Sequence, residues 1–166
     1  MPHLRLALLI PAAFALLAAT PVEQIIPVPG FADFLTIDGN SVWVTNKGRV
    51  ERWSRRGKLA TVSMRHPCGT MALTADALWV ADCDDKTLIR IDRRTARVTA
   101  VIVTGIAATD GEMNVVAGAG SVWLASAASG VISRIDPALG RVSARIIAAR
   151  GSNYLAFGHG ALWAVS

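Results

Sequence analysis

Short apolar segments alternate with polar, glycine-containing turns from about residue 23 to the end of the chain. Within these segments β-branched residues are frequent, and apolar residues tend to recur at every second position, as in 97–102 (RVTAVI). Such segments are typical of β-strands with one buried face. Between them no stretch has the length and spacing of a crossover helix, which a parallel α/β sheet needs. The pattern therefore predicts an all-β fold.

Four tryptophans recur in similar local sequences: Trp43 in SVWVT, Trp79 in ALWVA, Trp123 in SVWLA and Trp163 in ALWAV. Successive members lie 36, 44 and 40 residues apart, and a period of about 40 residues is typical of repeat architectures. We therefore expect the four side chains to occupy one packing position in successive repeats, as structural residues and not as ligand anchors.

The repeat around Trp79 contains four predicted strands, A to D, joined by short turns. Its strands are 68–73, 77–81, 87–92 and 97–102; those around Trp123 are 114–117, 122–124, 131–136 and 141–146; those of the looser first repeat are 34–37, 42–44, 50–54 and 58–62. Trp53 stands where the later repeats have Ile91 and Ile135, so it is predicted to be a core residue of strand C. Four antiparallel strands per repeat of about 40–45 residues are typical of a β-propeller blade.

The number of blades is incomplete. After three full repeats, strands A and B of a fourth are predicted at 154–157 and 161–165, and 24–28 is a candidate for a lone D strand ahead of the first repeat. We expect an incomplete propeller over residues 21–166, with about three full blades and a partial fourth, as a fragment of a longer propeller. The alternatives are association with another chain through unpaired sheet edges, or an unusual four-bladed ring.

The repeat motif resembles that of a known group. The pattern [SA]-[VL]-W-[VL]-[AT], followed by x-R-I-D and then G-[KR]-[VL], is similar to the repeats of bacterial streptogramin (virginiamycin B) lyase-like and YVTN-type propellers, from about Glu23 onward. The resemblance implies a ligand side formed by the B–C loops and the D-to-A connections. Streptogramin-type lyases use His, Glu and Mg²⁺, but no position here matches that motif, so no residue role is transferred.

The first twenty residues differ in composition from the rest. A short basic start is followed by an apolar run at 6–19 and then by small residues, which predicts a secretory signal peptide over residues 1–20. The run is too short to span a bilayer comfortably, and no later segment is apolar enough to be a transmembrane segment. We expect a periplasmic or secreted protein.

Basic residues outnumber acidic ones, 17 to 12, and the excess lies in the predicted C–D turns. These turns contain Arg55, Arg56, Lys58, Arg93, Arg94, Arg97 and Arg141. The face opposite the presumed ligand side should therefore be positive, either for solubility or for contact with anionic lipid or glycan. Nucleic acid is not an expected partner, because the basic residues lack interleaved aromatics and export is predicted.

The two cysteines, Cys68 and Cys83, are predicted to form a disulfide. A turn at Ala75-Asp76 between strands A and B would place residue 68 directly opposite residue 83. Opposed β-carbons in such a pair are close enough for a disulfide, which suits an exported protein. The alternative is two independent thiols or a metal pair.

Candidates for chemistry are few. His66 and Glu112 are weak acid/base candidates, as the one His/carboxylate pair expected on the ligand side. Asp82, Asp84 and Asp85 are weak candidates for a hard cation, although their spacing lacks the other features of a calcium loop. For both sets the alternative is ordinary solvated loop residues.

These observations predict an exported module that binds a ligand or a protein, or acts as a scaffold, in the bacterial envelope. The partner would be a small molecule or an envelope protein, with no cofactor required. The alternative is a streptogramin lyase-like carbon–oxygen lyase acting at the channel mouth, the one case in which Mg²⁺ is expected.

Overall fold

The computed structural model of the protein describes residues 23–106, 112–125 and 129–166. The predicted signal peptide lies outside the described residues, so its boundary stays a prediction. The described residues contain 14 strands in four antiparallel sheets and no helix. The strands are β1 Leu35–Asp38, β2 Ser41–Asn46, β3 Arg49–Ser54, β4 Gly57–Ser63, β5 Ala72–Leu73, β6 Ala77–Asp82, β7 Thr87–Asp92, β8 Val98–Val103, β9 Asn114–Gly118, β10 Ser121–Ala125, β11 Val131–Asp136, β12 Arg141–Ile147, β13 Tyr154–Gly158 and β14 Ala161–Val165.

The sheets follow the predicted repeat. Consecutive strands pair in chain order to give three four-stranded blades, β1–β4, β5–β8 and β9–β12, and the two-stranded β13–β14. The all-β, incomplete propeller is therefore confirmed. Trp53 pairs with Val42 as Ile91 pairs with Leu78, so its predicted place in strand C is confirmed. It is only half-buried and not a core residue as predicted, because it lies on the outer face of the first blade.

Two strand predictions are wrong by more than one or two residues at a strand end. Strand A of the second blade is only β5, because the backbone at Thr70 bonds forward to the third blade, with its N–H 3.1 Å from the Met113 carbonyl oxygen. Segment 24–28 forms no strand and lies along the outer face of the first blade. Pro27 on this segment, and Pro29 just after it, have no N–H to donate to a strand ladder.

The core lies between blades, where one face of each sheet packs on the next. Trp43 packs with Leu78, Val80 and Ile91 of the second blade. In the same way, Trp79 packs in a cluster with residues of the third blade. Blade packing thus places the tryptophan of one blade against the strands of the next.

The tryptophans share one set of contacts. Each indole N–H donates to the residue five positions earlier: Asp38 (2.9 Å), Thr74 (3.1 Å), Gly118 (3.2 Å) and Gly158 (3.0 Å). An arginine from strand C lies over the ring in the three full blades: Arg52 over Trp43, Arg90 over Trp79 and Arg134 over Trp123, at 5.3–5.9 Å. Trp163 keeps the indole hydrogen bond but is 58% exposed, since β14 carries no further described strand against it.

Candidate functional site

The blades have two distinct ends. The loop face, as we call it, comprises the B–C loops and the D-to-A connections, including residues 64–71 and 83–86 of the second blade. The turn face comprises the A–B and C–D turns, including 55–56, 93–97 and 137–140. The predicted site residues of the second blade lie on the loop face.

The predicted disulfide between Cys68 and Cys83 is present, with Cα atoms 6.0 Å apart and both residues buried. Its geometry differs from the prediction. Ala72 lies opposite Trp79 as the turn requires, but Pro67 bridges Asp82, so the pairing shifts by two residues between these points. The cysteines are therefore diagonal neighbours across the hairpin, not directly opposed residues.

Gly69 produces this shift. Its φ is +75°, a left-handed conformation that glycine adopts at little cost. A β-carbon at this position would lie 1.7 Å from the carbonyl oxygen of Met113. The backbone therefore passes directly against the connection to the third blade, and the disulfide beside it fixes the loop end of the second blade.

Asp82 stabilises the loop from within, whereas its neighbours Asp84 and Asp85 are exposed. It is buried, and its carboxylate accepts hydrogen bonds from the backbone N–H groups of Arg65 (3.0 Å), His66 (3.2 Å) and Asp85 (3.2 Å). A buried carboxylate with such donors stabilises the loop conformation. Over the described ranges, no three His, Cys, Asp or Glu side chains converge to hold a metal ion.

His66 is paired with a carboxylate that the sequence reasoning did not choose. Its Nδ1 lies 2.9 Å from Asp84 Oδ1, and Arg65 lies 2.9 Å from Asp85 Oδ1. Glu112 is exposed and makes no ion pair with any described residue. The view that Glu112 supplies the one available carboxylate is therefore wrong, because Asp84 in the adjacent B–C loop already pairs with His66.

These four side chains, Arg65, His66, Asp84 and Asp85, are named the rim cluster. All four are exposed. Isolated surface ion pairs contribute little to stability, so these four side chains are not needed to hold the fold together. The hairpin that carries them is fixed by the disulfide and by Asp82. Two donors and two carboxylates held on a disulfide-bonded hairpin can hydrogen-bond a polar partner, and the His66–Asp84 pair can accept or donate a proton.

Two buried carboxylates of the first blade were not singled out from the sequence. Asp38 accepts hydrogen bonds from Arg93 of the second blade and from Trp43, and Arg52 lies 3.3 Å away. The Arg93 hydrogen bond lowers the pKa of Asp38, outweighing burial, which raises it. The available signal was that Asp38 is an acid where the later repeats have Thr74 and Gly118.

Glu51 is fully buried on the outer face of the first blade. Burial raises its pKa, but hydrogen bonds from Arg49, Lys58 and Asn46, each 3.1 Å long, outweigh burial and lower the pKa overall. The Pro29 carbonyl oxygen also accepts hydrogen bonds from Asn46 and Arg49. This network attaches the segment at residues 29–31 to the first blade.

Sequence comparisons leave the chain without an assigned family, and structural comparisons identify its fold. No protein-family model matches, and no curated protein matches in sequence. Virginiamycin B lyase from Staphylococcus aureus is 21% identical with a TM-score of 0.66, over 84% of this chain and 50% of the lyase. BamB from Moraxella catarrhalis is 14% identical with a TM-score of 0.64, over 80% of this chain and 39% of BamB.

The computationally designed Ika4 protein is 11% identical with a TM-score of 0.67, over 86% of this chain and 94% of the designed chain. In contrast to the designed protein, which it matches almost end to end, the chain spans about half the length of virginiamycin B lyase. The part of the chain that the structure describes holds no helix of the length and apolarity needed to cross a membrane. The meander blades and these structural matches together show that the chain has the β-propeller fold seen in virginiamycin B lyase and BamB.

Proposed function

We propose that this propeller is an exported module that binds a polar ligand or an envelope protein through the loop face of its second blade. The observation that carries the proposal is the rim cluster, whose hydrogen-bonding groups are exposed while the hairpin beneath them is fixed by the Cys68–Cys83 disulfide and by buried Asp82. A rigid scaffold lowers the entropy cost of binding. The disulfide, the predicted signal peptide and the fold shared with BamB support an envelope location.

Exposed apolar side chains on the first and fourth blades support a larger assembly. The first blade exposes Leu35 and Ile37 on its outer face, and the fourth exposes Tyr154 and Trp163. In a closed propeller such faces are covered by neighbouring blades. We propose that further blades, from a longer polypeptide or a second chain, cover them.

Site-specific photocrosslinking tests the binding role. A photoreactive amino acid at Arg65 or Asp84, in protein exported by expressing bacteria, is expected to give the same discrete adduct from both positions. Position Arg97 on the turn face is the matched control and should not give it. Adducts that do not differ between the two faces would disprove binding through the rim cluster, and a reduced protein recovered from the cytosol would disprove export.

The second candidate is a carbon–oxygen lyase, favoured by the 2.9 Å contact of His66 with Asp84 and by the fold shared with virginiamycin B lyase. In such an elimination a base removes a proton from carbon, and the electron pair of that C–H bond forms a carbon–carbon double bond. The neighbouring carbon–oxygen bond breaks, and the oxygen leaves with the bonding pair as an anion. His66, oriented by Asp84, would be that base. The described residues do not supply a complete Mg²⁺ site, so no step is assigned to that ion.

Incubation with a streptogramin B antibiotic and Mg²⁺, followed by mass spectrometry of the antibiotic, tests the lyase. His66→Ala is expected to abolish ring opening, and His159→Ala, on the turn face, is expected to leave it unchanged. Absence of ring opening by the unmodified chain, or full activity of His66→Ala, would remove the lyase candidate without affecting the binding proposal.

A further inference from the structure

The turn face carries a row of exposed arginines without ionic partners. Arg55 and Arg56 lie in the C–D turn of the first blade, Arg94 and Arg97 in that of the second, and Arg141 begins β12 after that of the third. None of the five guanidinium groups forms an ion pair with a residue that the structure describes. Three successive blades therefore present exposed arginines without a direct ionic partner on one side.

The acidic residues of this face are already engaged. Asp38 is buried with Arg52 and Arg93, and Asp76 pairs with Arg90 at 2.5 Å. Asp92 accepts hydrogen bonds from the backbone N–H groups of Arg94 and Thr95. In the next blade, Asp136 accepts them from Ala138 (2.9 Å) and Leu139 (3.0 Å). Asp38 and Asp76 neutralise inner arginines, whereas Asp92 and Asp136 fix the turns through backbone N–H groups. The five outer arginines outnumber these two turn carboxylates, so they stay available for an external anion.

The third blade adds an apolar group to the same face. Its C–D turn reads Pro137-Ala138-Leu139-Gly140, and Leu139 is 61% exposed. The Asp136 carboxylate holds the backbone of this turn, so the leucine is presented on a rigid tip. A leucine gains nothing from water or from a soluble polyanion, but it gains free energy on entering a lipid layer.

We propose that the turn face docks on the surface of an anionic phospholipid bilayer. The five arginines contact lipid phosphates, and Leu139 enters the headgroup layer. Anionic membranes attract basic residues near the surface by about 1 kcal/mol each, roughly fivefold in affinity. This inference is independent of the proposed ligand binding, which lies on the opposite face, so docking would leave the rim cluster directed away from the membrane.

Vesicle flotation with the purified full chain tests this proposal. The chain is expected to float with vesicles that contain phosphatidylglycerol and phosphatidylcholine, more weakly with phosphatidylcholine alone, and less as salt rises. The variant Arg94→Ala with Arg97→Ala should weaken binding to the anionic vesicles roughly 30-fold. The matched control, Lys86→Ala with Arg150→Ala, removes two exposed charges from the loop face and should bind as the unmodified chain does. The N-terminal segment is the same in every variant, so differences between variants report on the turn face.

Leu139→Ser separates a lipid surface from a soluble phosphate polymer. It should weaken binding to anionic vesicles about tenfold and leave binding to long-chain polyphosphate unchanged. Equal binding by the two double variants would overturn the proposal. So would a Leu139→Ser variant that floats as well as the unmodified chain, since the arginines would then be recognising phosphate without a lipid layer.

Discussion

The joint between the first and second blades and the joint between the second and third are built from the same repeat, yet their turn-face ends differ. At the first joint, the Arg93 side chain of the second blade pairs with buried Asp38 of the first. The Arg93 carbonyl oxygen also accepts a hydrogen bond from Arg52 (2.7 Å). At the second joint, the equivalent positions are Pro137 and Thr74, which cannot form an ion pair. A cleft of about 780 Å³ lies there, lined largely by small residues.

The polar contacts of the second joint lie near the loop face. The Thr70 hydroxyl donates to the Val115 carbonyl oxygen (3.2 Å) and accepts from the Val115 N–H (2.9 Å). Arg145 donates to the Thr104 carbonyl oxygen at 2.9 Å. Both joints share apolar packing and a hydrogen bond near the loop face, since at the first joint the Thr36 hydroxyl donates to the Met71 carbonyl oxygen (3.1 Å). The comparison shows that the turn-face ion pair is what the first joint adds.

The largest expected effect comes from breaking the first joint. Arg93→Ala leaves Asp38 buried with one cation fewer, and we expect the free energy of unfolding to fall by about 3 kcal/mol. Pro137→Ala at the equivalent position of the second joint is the control, and it should change stability by less than about 1 kcal/mol. Urea denaturation monitored by tryptophan fluorescence measures both. Equal losses would show that the ion pair does not distinguish the joints.

Reducing the disulfide should have an effect of similar or slightly smaller size. Cys68 and Cys83 are 15 residues apart, and a loop of that length corresponds to about 3 kcal/mol in the chain-entropy model. The pair of substitutions Cys68→Ser and Cys83→Ser should lower the free energy of unfolding by that amount and increase hydrogen exchange at the loop end of the second blade. Exchange that rises equally at the first joint would contradict a local role.

Acid should weaken the first joint more than the second. The folded-state pKa of Asp38 lies below its ordinary value of 3.8, since Arg93 stabilises the carboxylate. The stabilisation is therefore complete above pH 3.8 and is lost as the pH falls through the folded-state pKa. Urea unfolding measured at pH values from neutral downward should show that the unmodified chain and Asp38→Asn differ less in free energy of unfolding below pH 3.8. A difference that stays constant with pH would exclude the Asp38 carboxylate as the origin of the acid sensitivity.

The smallest expected effect is a gain from transferring the ion pair. Thr74→Asp with Pro137→Arg places the first joint's residues at the second joint, where they should add up to about 1 kcal/mol, since new ion pairs return little of their desolvation cost. Each single substitution is the control and should be neutral or destabilising. In a double-mutant cycle, the double variant should be more stable than the summed changes of the two single variants predict. If it is not, the joints differ in backbone geometry as well as in side chains.

Much of the fold was predictable because it depends on local sequence. The tryptophan period, the meander of four strands and the place of Trp53 follow from apolar alternation and short turns, which fix pairing between neighbouring strands. Strand A of the second blade was predicted too long, since Thr70 finds its partner in the next blade. The site was less predictable: the disulfide was expected, but the diagonal position of its cysteines depends on the register shift at Gly69, and the choice of Asp84 as the partner of His66 depends on the conformation of the B–C loop.

The sequence by itself determined the blade: how many strands it has, which residues face its core, and that Cys68 and Cys83 meet. The tertiary structure decided the contacts between blades, such as that of Asp38 with Arg93, which are 55 residues apart in sequence. It also decided that Trp163 is exposed whereas the equivalent Trp79 is buried. The physical reason is the range of the interactions. Strand pairing follows the alternation of neighbouring residues, whereas contacts across a joint depend on how one twisted sheet packs on the next, which no local pattern records.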